Sequence, residues 1–300
     1  LISTITGSSD GDQVGAGGIT ELANGNYLIG SPSWNNGSVV NAGAVTFGNG
    51  ATGVTGIVSS NNSLVGSSDY DQVGDYGSVT ALINGNYVVS SWSWNNGSIV
   101  SAGAITFGDG TSGITGLISA SNSLVGSSDY DYLGDGLVTA LTNGNYVVSS
   151  PYWDNGSIED AGAITFGDGT TGVTGTISAI NSLVGTSIND YVGDYGSVTA
   201  LANGNFVVSS WNWDNGSVVD AGAITFGDGT TGITGLISAS NSLVGSSDYD
   251  YLGDGLVTEL AYGNYVVSSP NWDNGSVEDT GAVTFGNGTT GVTGFISASN

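Results

Sequence analysis

The sequence predicts an all-β protein, a β-propeller of five four-stranded antiparallel blades with about 60 residues per blade, and three observations carry that reading. The chain repeats itself five times, each repeat holds short runs rich in Val, Ile, Thr and aromatic residues, and no stretch keeps a helical period. A period of this length defines the unit that must fold.

The triplet Gly-Asn-Tyr or Gly-Asn-Phe starts at Gly25, Gly85, Gly144, Gly204 and Gly263, with spacings of 60, 59, 60 and 59. One domain over 1–300 is expected, with blades at approximately 7–64, 65–124, 125–183, 184–243 and 244–300 and residues 1–6 left as a closing or donated strand. In the fourth repeat the strand-like runs are SVTAL (197–201), FVVSS (206–210), GAITFG (222–227) and the less regular LISASNSLVG (236–245). β-Branched and aromatic residues bounded by Gly, Asn and Asp favour strands. The first joint, ANGN (202–205), offers the Asn-Gly pair that a tight hairpin needs for its positive φ angles. The second joint is long and carries WDNGS; the third, DGTTGITG (228–235), is rich in Gly and Thr. A meander of this size suits a propeller blade, and propellers have ~4 to 8 of them. The alternative is a β-solenoid, but its coils need a shorter regular period, ~20 to 29 residues in leucine-rich repeats. The uneven strand starts fit hairpins better.

Composition narrows the chemistry. The chain has 26 acidic residues and no Lys, Arg, His, Cys or Met. Phosphate recognition draws on Lys and Arg, so no nucleic-acid partner is expected, and anionic membranes are equally unsuited. Without His or Cys the common zinc, haem, thiolate and Ser-His-Asp chemistries lack their parts, so no enzyme and no catalytic residues are expected. No run of ~18 apolar residues occurs, so no membrane insertion is expected. The sequence starts at Leu1 with neither an initiator Met nor a signal peptide, which suggests a processed chain or a segment of a longer one.

The stretch GSSDYDQVGDYGSVTALINGNYVVSS (66–91), followed by AGAITFGDG (102–110), resembles the FG-GAP repeat of integrin α-chain propellers and related bacterial propellers. Val73-Gly74 stands where that family has Phe-Gly, and Gly30-Ser31-Pro32 where it has Gly-Ala-Pro. The chain is similar also to bacterial repeats with a GNYVVxSPxWDNG core found in very large secreted or surface-attached proteins. The resemblance implies a propeller in an extracellular or cell-surface setting. FG-GAP repeats often carry an Asp-rich calcium loop between their first two strands. Here that joint is only ANGN or INGN, so the family's calcium ligands do not carry over.

Four residue sets invite a functional reading. Asp69, Asp71 and Asp75, with their counterparts Asp129, Asp131, Asp135 and Asp248, Asp250, Asp254, could converge on a hard cation if their loop curls, because calcium takes ~6 to 8 oxygen ligands. The set weakens to Asp10 and Asp12 in the first repeat and to Asn189, Asp190 and Asp194 in the fourth, and the competing reading is a turn whose Asp side chains bond to nearby backbone. No cofactor is required on this reading, and weakly bound calcium is the one ion to consider. Trp34, Trp94, Trp153, Trp213 and Trp272 recur at one place, where a sugar platform competes with packing between neighbouring blades; packing is the commoner use of a large ring. Trp92 and Trp211 replace the Pro of Pro32, Pro151 and Pro270, and being less repeated they are the better glycan-contact candidates. Asn36, Asn96, Asn155, Asn215 and Asn274 each begin an Asn-Gly-Ser glycosylation triplet, although Asn-Gly is equally a turn pair.

The repeats alternate. The first, third and fifth carry Pro before the Trp segment and a nine-residue run such as LGDGLVTAL (133–141); the second and fourth carry Trp and ten residues, as in VGDYGSVTAL (73–82). The sequence ends at FISASN (295–300), short of the SLVG that follows in other repeats, and begins with LISTITG (1–7), which aligns with the missing piece. The first residues therefore either close their own ring or complete a neighbouring molecule, and both outcomes cover a strand edge. Together these features lead to the expectation of a non-enzymatic extracellular structural or adhesive protein, self-associating head-to-tail into a filament. The alternative is a multivalent lectin with glycans as partners.

Overall fold

In the computed structural model, which describes residues 3–298, five repeats fold into blade-like sheets of short strands, and the one departure is a 3-10 turn at Ala261–Gly263. The chain forms two compact units, residues 1–140 with 168–177 and residues 141–167 with 178–300. No helix is long and apolar enough to cross a membrane.

The first unit starts with β1 (Ile5–Thr6), then β2 (Gly18–Glu21), β3 (Tyr27–Ser31), β4 (Ala44–Gly48), β5 (Gly56–Ile57) and β6 (Ser63–Val65). The second repeat supplies β7 (Val79–Ala81), β8 (Tyr87–Ser91), β9 (Ala104–Gly108), β10 (Gly116–Leu117) and β11 (Ser123–Val125), and the third β12 (Val138–Ala140), β13 (Tyr146–Ser150), β14 (Ala163–Gly167), β15 (Gly175–Thr176) and β16 (Ser182–Val184). β17 (Val198–Ala200), β18 (Phe206–Ser210), β19 (Ala223–Gly227), β20 (Gly235–Leu236) and β21 (Ser242–Val244) form the fourth; β22 (Val257–Glu259), β23 (Tyr265–Ser269), β24 (Ala282–Gly286) and β25 (Gly294–Phe295) the fifth.

Within a repeat the expected antiparallel meander is present: β2 pairs β3, β3 pairs β4, and β4 pairs β6, with Val45 opposite Leu64. The irregular last run behaves differently from the expectation of four antiparallel strands. It divides into two strands in two sheets. β10 leaves its own repeat to lie parallel to β6 of the repeat before, with Gly116 opposite Leu64 and Leu117 opposite Val65. β15 does the same to β11, β20 to β16, β25 to β21, and β5 to β1. The Ser-x-x-Asn turn explains the break: the Asn122 side chain accepts from the Ser119 amide at 2.9 Å and donates to the Leu117 carbonyl at 3.0 Å, reversing the chain between β10 and β11.

Among the described residues, two strands lack the outer antiparallel neighbour that their equivalents have. Among the described residues β24 carries no strand beyond it, and Val283 is 74 % exposed where its equivalent Ile224, covered by β21, is at 0 %. β1 pairs β5 but has no antiparallel neighbour among the described residues.

Apolar side chains from successive repeats make the cores. In the first unit Leu28, Val45, Leu64 and Val73 pack with Tyr87, Val89 and Trp94; in the second, Leu183 and Val192 pack with Phe206, Val208 and Trp213. The aromatic of the Gly-Asn-Tyr triplet lies across its partner strand on a glycine: Tyr87 is opposite Gly108, where a Cβ would come within 2.1 Å of the Tyr87 ring. Gly103 is a second obligatory glycine. Its φ is +73°, and a Cβ there would stand 2.2 Å from the Leu133 amide nitrogen of the next repeat. Some buried hydroxyls pair across strands, Thr106 with Ser123 at 2.7 Å and Thr225 with Ser242 at 2.7 Å, while Ser91, Ser150, Ser210 and Ser269 Oγ are buried without a partner among the described residues.

Candidate functional site

The Asp-rich loop between repeats is built from its backbone outward. In the second repeat Tyr70 and Gln72 adopt φ of 64° and 51°, costly for non-glycine residues, and the loop is held there by amide bonds from Tyr70 to the Val40 carbonyl and from Gln72 to the Asn41 carbonyl, at 2.9 and 3.0 Å. Asp71, 1 % exposed, is its anchor. Its Oδ2 accepts from the Ser67 and Ser68 amides, both at 2.8 Å, and its Oδ1 from the amide and the side-chain nitrogen of Asn95, both at 3.0 Å. Asp69 turns away to accept from the Val40 amide at 2.8 Å, and Asp75 accepts from the Tyr76 amide at 2.7 Å.

The structure does not bring these three carboxylates together. Asp129 and Asp248 likewise accept from the Val100 and Val219 amides, Asp131 from Ser128 and Asp250 from Ser246 and Ser247, and Asp135 and Asp254 stand apart from them. Among the described residues no group of three or more carboxylates is placed to hold a metal ion. Backbone amides, as in the competing turn reading, bond to the carboxylate oxygens of Asp69 and Asp71.

Charge within this anchor varies between repeats. At Asp12 burial pushes the carboxyl pKa up, but the amides of Ser9, Asn35 and Ser8 and the Asn35 side chain outweigh it and the pKa is lowered. At Asp71 burial wins and the pKa is raised. At Asp190 burial pushes it up to about 6, and the Asp214 carboxylate adds to the rise. Burial is the largest influence at all three; beyond it, Asn35 and Asn95 donate a side-chain N–H to Asp12 and Asp71, whereas Asp214 donates only its backbone amide to Asp190, at 2.9 Å.

The recurrent tryptophans are interior. Trp34, Trp94 and Trp153 are each 3 % exposed, Trp213 2 % and Trp272 7 %. Trp213 Nε1 donates to Thr186 Oγ1 at 3.1 Å, but the Nε1 atoms of Trp34, Trp94 and Trp272 have no acceptor, in repeats where Ser8, Ser67 and Ser246 replace that threonine. Trp92 and Trp211 are instead half-buried, and Trp92 lines a cleft of about 240 Å³. A wider opening of about 520 Å³ lies among Asp248, Tyr249, Asp273, Glu278 and Asp279. Asn36, Asn96 and Asn215 spend their side-chain N–H on the carbonyls of Gly66, Gly126 and Gly245 at 3.3 to 3.4 Å, and their backbones close a turn; Asn155 and Asn274 close the same turn.

A residue set that the sequence reading assigned only to the hairpin turn links successive repeats. Asn24 and Asn26 both donate to the Gly110 carbonyl, at 2.7 and 2.8 Å. Asn84 and Asn86 do so to Gly169, Asn143 and Asn145 to Gly229, and Asn203 and Asn205 to Gly288. The signal was present in the second Asn of every Asn-Gly-Asn, which a turn alone does not need. In the fifth repeat Tyr262 takes the first Asn's place, 95 % exposed with φ of 69°.

The model of a repeat of unknown function (DUF5650) matches residues 21–75, 81–135, 140–194, 200–254 and 259–300. No curated protein matches the chain.

Proposed function

We propose that this chain, which belongs to the family of the repeat of unknown function (DUF5650), is a non-enzymatic structural or adhesive protein of the extracellular space or cell surface that assembles head-to-tail by strand complementation. On this reading its repeats are of the FG-GAP type, like those of large secreted bacterial proteins. The observation that carries the proposal is the match between two strands, β24 and β1, that lack an outer antiparallel neighbour among the described residues. β24 offers Ala282, Val283 and Thr284 where β4 offers Ala44, Val45 and Thr46 to Val65, Leu64 and Ser63. β1 is a strand of the β6 kind: it already holds β5 in the parallel register that β6 holds β10, and its antiparallel side is free among the described residues. The β1 of one copy therefore matches the β24 edge of another.

Composition agrees with the setting. A chain with no Lys or Arg presents no site to trypsin-like proteases, and a net charge of -26 keeps copies apart except where a specific edge draws them together. Head-to-tail contacts whose rotation does not close give open filaments. Sedimentation of the full chain over a range of concentrations tests the proposal. Growing assemblies are expected, reduced to single copies by deletion of residues 1 to 6; assembly unchanged by that deletion, or none in the full chain, overturns it.

A further inference from the structure

The cleft beside Trp92 has the makings of a ligand site that the assembly reading does not use. It lies wholly within the first unit, where the second and third repeats meet, and its lining includes Tyr76, Ser78, Thr80, Trp92 and Asp135. Its volume of about 240 Å³ falls below the ~300 to 1,000 Å³ of pockets for drug-sized ligands, so it suits one compact ring or the end of a chain. Trp92 is braced by Tyr132, their rings 6.2 Å apart and inclined at 52°, and it is half-buried, unlike the fully interior Trp94 two residues on. Tyr76, 87 % exposed, stands at the mouth.

The polar groups of the cleft are unspent. Ser78 is only 8 % exposed, and its Oγ is buried without a hydrogen-bond partner among the described residues, as are those of Ser91, Ser150, Ser210 and Ser269 in the strands. The Asp135 carboxylate accepts no hydrogen bond among the described residues, and burial alone raises its pKa. No basic residue exists anywhere in the chain to neutralise an anionic ligand, and the net charge of -26 repels one. An apolar ring face, a strong acceptor and several hydroxyls in a small concavity match an uncharged polyhydroxylated ring, whose C–H face packs on an aromatic while its hydroxyls bond to the rim.

We propose that this cleft binds a single uncharged pyranose unit of a glycan, stacked on Trp92, with Asp135 accepting from two ring hydroxyls. The residue set recurs in the second unit. Tyr195, Ser197, Thr199 and Trp211 of the fourth repeat, with Asp254 and Leu256 of the fifth, repeat the sequence of the first site; Trp211 is half-buried, and Ser197 Oγ is again buried and unpartnered. Pro32, Pro151 and Pro270 replace the tryptophan in the other repeats, so the chain carries two such sites, one for each pair of repeats. The pairwise alternation in sequence is thereby an alternation in ligand binding.

The test uses the full chain and the methyl glycosides of glucose, galactose, mannose and N-acetylglucosamine, followed by tryptophan fluorescence and saturation-transfer NMR. At least one glycoside is expected to bind saturably at two sites. Trp92→Pro should leave one site, and Trp92→Pro with Trp211→Pro none; proline is what three repeats already carry there, so the fold accommodates the change. Asp135→Asn should weaken the first site at least tenfold without altering the near-ultraviolet circular dichroism. Three results would overturn the proposal: no saturable binding of any of the four, binding that survives the double proline variant, or binding of tetramethylammonium in place of the sugars, which would make the site a cation cage.

Discussion

At the scale of single residues, the buried Asp190 couples folding to pH. Asp190 has a folded pKa of about 6 against an ordinary 3.8, because it is buried and faces Asp214. Between those values the folded chain keeps a proton that the unfolded chain has lost, so this group's contribution to stability is present below pH 3.8 and is lost as pH rises to about 6. Asp214→Asn would place at this position the donor that Asn35 and Asn95 supply elsewhere, while its Oδ1 still accepts from the Asp220 amide, as Asn95 Oδ1 does from Ser101. The variant should gain about 1.5 to 3 kcal/mol at pH 7, the worth of a hydrogen bond to a charged group, and should flatten the loss of stability between pH 4 and 6. Urea titrations at the two ends of that window check both. Of this chemistry the sequence showed the acids and their spacing. It did not show that Asp71 faces four N–H donors, because that depends on a backbone with excursions to positive φ on either side of it, at Tyr70 and Gln72, in residues that rarely adopt it.

At the scale of elements, the joints between repeats matter more than the hairpins within them. Gly103→Ala should destabilise by several kcal/mol, since a Cβ would collide with the Leu133 backbone and also strain a φ of +73°; a fall in denaturant midpoint measured beside Gly97→Ala, whose Cβ meets nothing, separates the clash from the strain. Asn24→Ala with Asn26→Ala removes both donors to the Gly110 carbonyl and should cost about 1 to 3 kcal/mol, visible as faster hydrogen exchange at the turn around Gly110. The hairpins were legible because Asn-Gly turns and β-branched runs are local signals. The division of Leu236–Val244 into β20 and β21, in two different sheets, was not, because a parallel pair of two residues is fixed by its neighbour and leaves no periodicity of its own. What the sequence did register was the irregularity of that run.

At the scale of the whole chain, one rule connects the repeats: each completes the sheet of the repeat before it. Four sheets receive β10, β15, β20 and β25 in this way, and β5 does the same for β1. Stability in such arrays is the sum of repeat and interface terms, so covering an edge strand adds an interface. Val283 on β24 is 74 % exposed among the described residues, against 0 % for Ile105, Ile164 and Ile224. Because Val283 is exposed in the single copy, Val283→Asp should leave the fold intact while placing a charge in the edge that a further strand must cover. Electron microscopy of the full chain and of this variant, at native salt, is the most direct measurement. Continuous filaments from the full chain and single particles from Val283→Asp are the result expected of strand complementation; single particles from both, or filaments indifferent to the charge, would contradict it.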